Sequence, residues 1–151
     1  MTSMNDTGVV AAPASGQTRR TPRLRRLAGT GLVATLAAMA ATTLAAALAQ
    51  AAGVDFEIPD GGETIPLPGF TVVTGFFSIV GTAIAAALLR WSARPAERFV
   101  WTAVSLTAIS LAPPLLSGAN TATTTALLGL HLIPATLMIP TLARNLRTRT
   151  D

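Results

Sequence analysis

"FTVVTGFFSIVGTAIAAALLRWSARP", Phe70–Pro95, decides how this chain folds. From Phe70 to Leu89 it contains no Asp, Glu, Lys or Arg. At ~1.5 Å of rise per residue, about 20 residues in a helix cross a ~30 Å hydrocarbon core. Lipid offers backbone N–H and C=O groups no hydrogen-bond partner, whereas a helix satisfies its own. The stretch therefore reads as a membrane-spanning helix. Arg90 and Arg94 follow it at once, and arginine beside a span resists translocation.

Three more uncharged segments lie on either side. They run over about 27–52, 99–116 and 122–143, the third of the four being only just long enough to span. The totals agree: 50% of the chain is hydrophobic and 12% charged, against about 25% charged in a soluble domain. The fold class is thus all-α, an integral membrane four-helix bundle. Residues 1–26 read as a disordered basic cytoplasmic tail, 27–147 as the transmembrane domain and 148–151 as a cytoplasmic end.

The connecting pieces sort by charge. All 11 basic residues are arginine, and none lies within Gly53–Gly69 or Ser117–Asn120. They fall in the N-terminal tail, in the loop between the second and third segments, and at the C-terminus. If every segment crosses, those pieces share one side, and the positive-inside rule makes that side cytoplasmic. The expected placement is a multi-pass protein of the inner (plasma) membrane with both termini cytoplasmic. Trp91 and Trp101 suit the same boundary, where an indole keeps its N–H wet. Gly53–Gly69 is then the one sizeable extracytoplasmic loop. It holds Asp55, Glu57, Asp60 and Glu63, and "PDGGE" between Phe56–Ile58 and Thr64–Leu67 could turn a short β-hairpin there.

The first segment has a rival reading. A basic start, an apolar run and "ALA" at Ala47–Ala49 resemble a signal peptide. Its apolar run exceeds the ~7–15 residues of a signal core, which favours an uncleaved span.

Small residues recur every fourth position, as Thr30, Ala34, Ala38, Thr42 and Ala46 in the first segment and Thr74, Ser78, Thr82 and Ala86 in the second. Such rows let helices approach closely, so the first two segments are expected to pair. Pro113 and Pro114 should kink or end the third helix, and Pro134 and Pro140 should bend the fourth, because proline lacks the N–H donor and crowds the preceding turn.

Little chemistry is visible. His131, the only histidine, lies near the middle of the fourth segment, and an ionisable residue at that depth is a functional candidate. A neutral histidine bonded by a hydroxyl (Thr107, Ser110 or Ser78) or by a freed carbonyl is the structural reading of it. The loop acids do not fit a calcium loop, since Pro59 stands where the fifth-place ligand belongs. With 0 cysteines there is no thiol or disulfide chemistry. No catalytic, cofactor-binding or metal-binding residue is assigned, and no cofactor is expected. The arginines flank apolar segments without the aromatic pattern of RNA binders, so no nucleic-acid partner is expected. The expected partners are the lipid bilayer and a membrane protein or further copies of the chain.

Four stretches together resemble a known family: "AGVDFEIPDGGETIPL" (Ala52–Leu67), "VVTGFFSIVGTAIAAALLRWSARP" (Val72–Pro95), "SLAPPLL" (Ser110–Leu116) and "TTTALLGLHLIPATLMIPTLAR" (Thr123–Arg144). They look like small actinobacterial four-span membrane proteins catalogued as a domain of unknown function. The resemblance covers about Leu27 to Arg147. It implies an uncleaved first helix and no assigned activity. The expected function is non-enzymatic, that of a structural or accessory protein acting through helix contacts. The alternative is a small oligomeric transporter or channel-like protein with His131 in or near the pathway. Small multidrug transporters also have four spans, but they use a glutamate in the first helix, which this chain lacks.

Overall fold

The computed structural model describes residues 20–59 and 62–147. In chain order the elements are α1 (Arg20–Ala51), β1 (Glu57–Ile58), β2 (Glu63–Thr64), α2 (Leu67–Trp91), α3 (Pro95–Ser110), α4 (Ala112–Leu116) and α5 (Thr121–Arg147). Four helical stretches are long and apolar enough to cross a membrane, with α3 and α4 together forming the third. The fold is all-α, and β1 and β2 form the expected hairpin in miniature, pairing Glu57 with Thr64 and Ile58 with Glu63. Ile65 N–H extends the pairing to Phe56 O at 3.2 Å.

The helices pack as a ring. α1 lies against α2 and α5, α3 lies against α2 and α5, and α2 meets α5 more weakly across the middle. Two apolar clusters fill the bundle. One, at the arginine-bearing end, joins Leu27, Ala85, Phe99, Leu142 and Leu146. The other, at the opposite end, joins Ala46, Phe56, Leu127 and Leu130. Asn145 Nδ2 donates to Thr30 Oγ1 at 2.8 Å, tying the last turns of α5 to the first turns of α1. Every described arginine therefore sits at one end.

Helix limits outrun the apolar segments. α1 starts at Arg20, so Arg20–Arg26 is helical rather than part of a disordered tail; residues 1–19 lie outside the described chain. The charge ends the apolar run but not the helix, because arginine and leucine are good helix formers and Pro22 is tolerated in the first turn. At the other end of the chain, α5 extends to Arg147, with Arg144 and Arg147 in its last turn, where cations offset the negative end of the macrodipole.

Proline acts differently in the two places. α3 ends at Ser110, and Pro113 and Pro114 open the short α4. Two consecutive missing donors leave the carbonyls of Ile109 and Ser110 without helical partners, which stops the helix. Pro134 and Pro140, by contrast, lie inside α5, which stays one element through both. Each removes a single bond, and the flanking turns, packed on α1 and α3, carry the helix across.

The expected pairing of α1 and α2 holds, but on a different row of α1. Thr30 and Ala46 of the anticipated row turn toward α5. The residues one place on meet α2: Gly31 abuts Thr82, Met39 abuts Gly75, and Thr43 and Thr71 share a hydroxyl hydrogen bond of 2.6 Å. These pairs descend one helix as they climb the other, which is antiparallel contact at close range.

Candidate functional site

The arginine-free end is closed by the loop between α1 and α2. Gly53 turns the chain back with φ 95°, and Phe56 follows with φ 53°. For a residue with a Cβ the left-handed region costs about 1–2 kcal/mol. Phe56 nevertheless adopts it, and its ring is 0% exposed. The ring stands 4.9 Å from that of Phe70, tilted by 59°, in the cluster formed with Ala46, Leu127 and Leu130. A strained backbone that aims a large apolar side chain into the mouth of a bundle makes a plug.

Asp55, beside the plug, anchors it to α5. Asn120 caps that helix, its Oδ1 accepting Thr123 N–H at 2.8 Å, as an N-cap side chain does. The buried Thr123 hydroxyl donates to Asp55 Oδ1 at 2.9 Å. Asn120 Nδ2 stands 3.4 Å from both oxygens of the carboxylate, and Glu57 N–H reaches Oδ1 at 3.2 Å. The carboxylate also faces the positive end of the α5 macrodipole. Glu57 N–H is the chief cause that holds the Asp55 pKa below its ordinary value, followed by the Thr123 hydroxyl; slight desolvation of the exposed carboxylate opposes them, and Asn120 adds to the lowering.

The sign of the pH effect follows. A carboxylate whose folded pKa is lowered stabilises the fold above its unfolded pKa and loses that contribution as pH falls through the folded value. The anchored loop should therefore loosen in acid. Asp55→Asn should flatten that part of the profile, measured as protease cleavage of the loop between about pH 6 and 3. The difference between the two profiles is the readout. Superimposable profiles would refute the anchor.

His131 lies about two turns along α5 from Thr123, half-buried. Its Nδ1 is 2.9 Å from Leu127 O, which makes Nδ1 the donor to its own helix. Two of the three hydroxyls anticipated as partners donate elsewhere: Thr107 Oγ1 to Ala103 O at 2.8 Å and Ser110 Oγ to Thr107 O at 2.8 Å. Nor is Leu127 O a carbonyl freed by proline, since Pro134 would free that of Leu130. Thr42 Oγ1 of α1 is buried with no hydrogen-bond partner, an arrangement that costs about 1–3 kcal/mol.

Among the described residues no group of three or more His, Cys, Asp or Glu could hold a metal ion. Asp60 lies outside the described chain. The sequence singled out His131 and the loop acids but missed Phe56, Asn120 and Thr123 as a set. Only the cap-like Asn120 before a threonine run gave a local signal, and nothing in it pointed across to Asp55.

Residues 22–148 match a family described as "Family of unknown function (DUF6069)". No curated protein and no solved structure matches the chain.

Proposed function

The chain belongs to this family of unknown function, and on that premise we propose a non-enzymatic accessory role in the plasma membrane, exerted through helix contacts with another membrane protein or with further copies of itself. One observation carries the membrane reading. The four long helices turn large apolar side chains outward, with Val33 68%, Phe77 65% and Ile79 63% exposed. A soluble monomer seldom tolerates contiguous apolar surface on that scale, whereas a lipid-facing helix requires it. The gathering of arginines at one end supports cytoplasmic termini.

Two measurements test this. The chain has 0 cysteines, so single cysteines report topology cleanly. Asp60→Cys should react with an impermeant maleimide added outside intact cells, and Arg147→Cys only after lysis. The reverse pattern would overturn the orientation. Pull-down of the tagged full chain in mild detergent should recover a stoichiometric membrane protein or a homo-oligomer, and recovery of monomer alone would sink the accessory role.

An oligomeric transporter or channel with His131 in or near its path is the second reading. It is motivated by an ionisable, half-buried side chain within an apolar span. Solute flux in proteoliposomes that disappears in His131→Ala would favour it over the first.

A further inference from the structure

The close contact of α1 with α2 leaves a furrow on the lipid-facing side of the pair. Its floor is the abutment of Gly31 on Thr82. Its walls are Leu24, Ala28 and Leu32 on α1 and Ile79, Ala83 and Ala86 on α2, enclosing about 410 Å³. Small residues at the contact draw the two backbones together, and larger flanking side chains stand proud of it. On α1 the furrow runs from Leu24 to Thr35, about 16 Å at 1.5 Å per residue. That is the depth of one leaflet of a ~30 Å core.

The open end of the furrow is charged on both walls. Arg90 stands four residues beyond Ala86 in the same row of α2, and Arg25 stands three and seven residues before Ala28 and Leu32 on the same face of α1. Both are exposed. The Arg90 guanidinium carbon lies 5.9 Å from the centre of the Trp91 ring, a contact through the π face that leaves its N–H edge for other acceptors.

A second hollow of about 470 Å³ continues the furrow toward the opposite end, lined by Met39, Thr43, Leu44 and Thr71 among others. Met39, packed on Gly75, lies between the two. No described arginine stands at the mouth of the second hollow. The seam is thus two hollows in succession rather than one span-long groove for a partner helix, and only the first is charged at its mouth.

We propose that the hollow at the arginine end holds one acyl chain of an anionic phospholipid, with the lipid phosphate between Arg25 and Arg90. Apolar walls one leaflet deep accept the chain, and two guanidinium groups supply the N–H donors that phosphate takes; a zwitterionic lipid has the same phosphate but carries a quaternary ammonium that the two arginines repel. The uncharged hollow does not discriminate by headgroup. The inference rests on the membrane reading above, but its test runs in micelles and does not depend on which way the chain is inserted.

The full chain in mild detergent is titrated with dioleoylphosphatidylglycerol or dioleoylphosphatidylcholine, and bound lipids are counted by native mass spectrometry. One phosphatidylglycerol should bind at least tenfold more tightly than phosphatidylcholine. Arg25→Gln with Arg90→Gln should remove that preference, while Arg98→Gln, a charge at the same end on α3, should keep most of it. Ala83→Phe fills the hollow from its exposed side and should weaken the same binding event with the arginines intact. A Thr43→Cys, Thr71→Cys crosslink verifies that α1 and α2 remain paired in each variant. Equal affinities for the two lipids, a double variant no worse than Arg98→Gln, unaltered binding in Ala83→Phe, or a second copy of the chain in place of the lipid would each overturn the proposal.

Discussion

Replacing Phe56 with alanine should lower stability by about 3 kcal/mol or more, the size seen when a buried phenylalanine is truncated. The ring is fully buried at the arginine-free mouth and packs tilted against that of Phe70. Because it belongs to a loop, its alternative environment is water rather than lipid, so the whole hydrophobic term is at stake. Alanine removes that term, leaves a cavity beside Leu127 and Leu130, and keeps the left-handed backbone at φ 53°. Glycine provides the contrast. At an ordinary site it is worse than alanine by roughly 0.5–1 kcal/mol, but here it relieves the positive φ, so Phe56→Gly should be no worse than Phe56→Ala. The measurement is the thermal midpoint in detergent. A midpoint equal to the parent's for Phe56→Ala would show that the loop does not plug the bundle. A Phe56→Gly protein well below Phe56→Ala would show that the backbone is not held in the left-handed region.

Gly31→Leu should force α1 and α2 apart. A Cβ at this position runs into Thr82 Cγ2 and comes within 2.8 Å of its Oγ1. Lipid tails solvate leucine as well as another helix does, so nothing but close packing and hydrogen bonding holds such helices together. Overpacking of this kind typically costs about 1–3 kcal/mol. The loss should appear as a disulfide that no longer forms between Thr43→Cys and Thr71→Cys, positions whose hydroxyls are hydrogen-bonded at 2.6 Å. Thr82→Gly should restore much of the crosslink, because it removes the atoms the new side chain strikes, and the two changes should be strongly non-additive. Gly29→Ala is the control, since nothing lies within 4 Å of a Cβ built there. Efficient crosslinking in Gly31→Leu would refute the contact.

How far the sequence could be read depended on the range of the force involved. The spans were legible because apolar runs are local and their length is set by the bilayer. Their helical ends were less so: Arg20–Arg26 ends the apolar run yet continues the helix, since charge and helicity obey different rules. The prolines were legible too: the adjacent Pro113 and Pro114 remove successive donors and end α3, whereas Pro134 and Pro140, six residues apart, each remove one and leave α5 a single element. At the candidate site, His131 was conspicuous as an ionisable group in an apolar run. Its bond to Leu127 O, one turn away on the same helix, could not be told from a bond to a neighbouring helix without coordinates.

The sequence by itself determined that there are four apolar helices, that the arginines flank them on one side, and that the acidic loop lies on the other. Those are properties of single segments and of alternation along the chain. Only the tertiary structure decided which face of α1 meets α2, and that Asp55 answers Thr123 across 68 residues. It likewise decided that Phe56 turns inward. Each depends on rotation and register between helices, and small residues repeated every fourth place permit several such arrangements at nearly equal cost. Side-chain fit selects one: a glycine must lie opposite a threonine, and a carboxylate opposite a helix start.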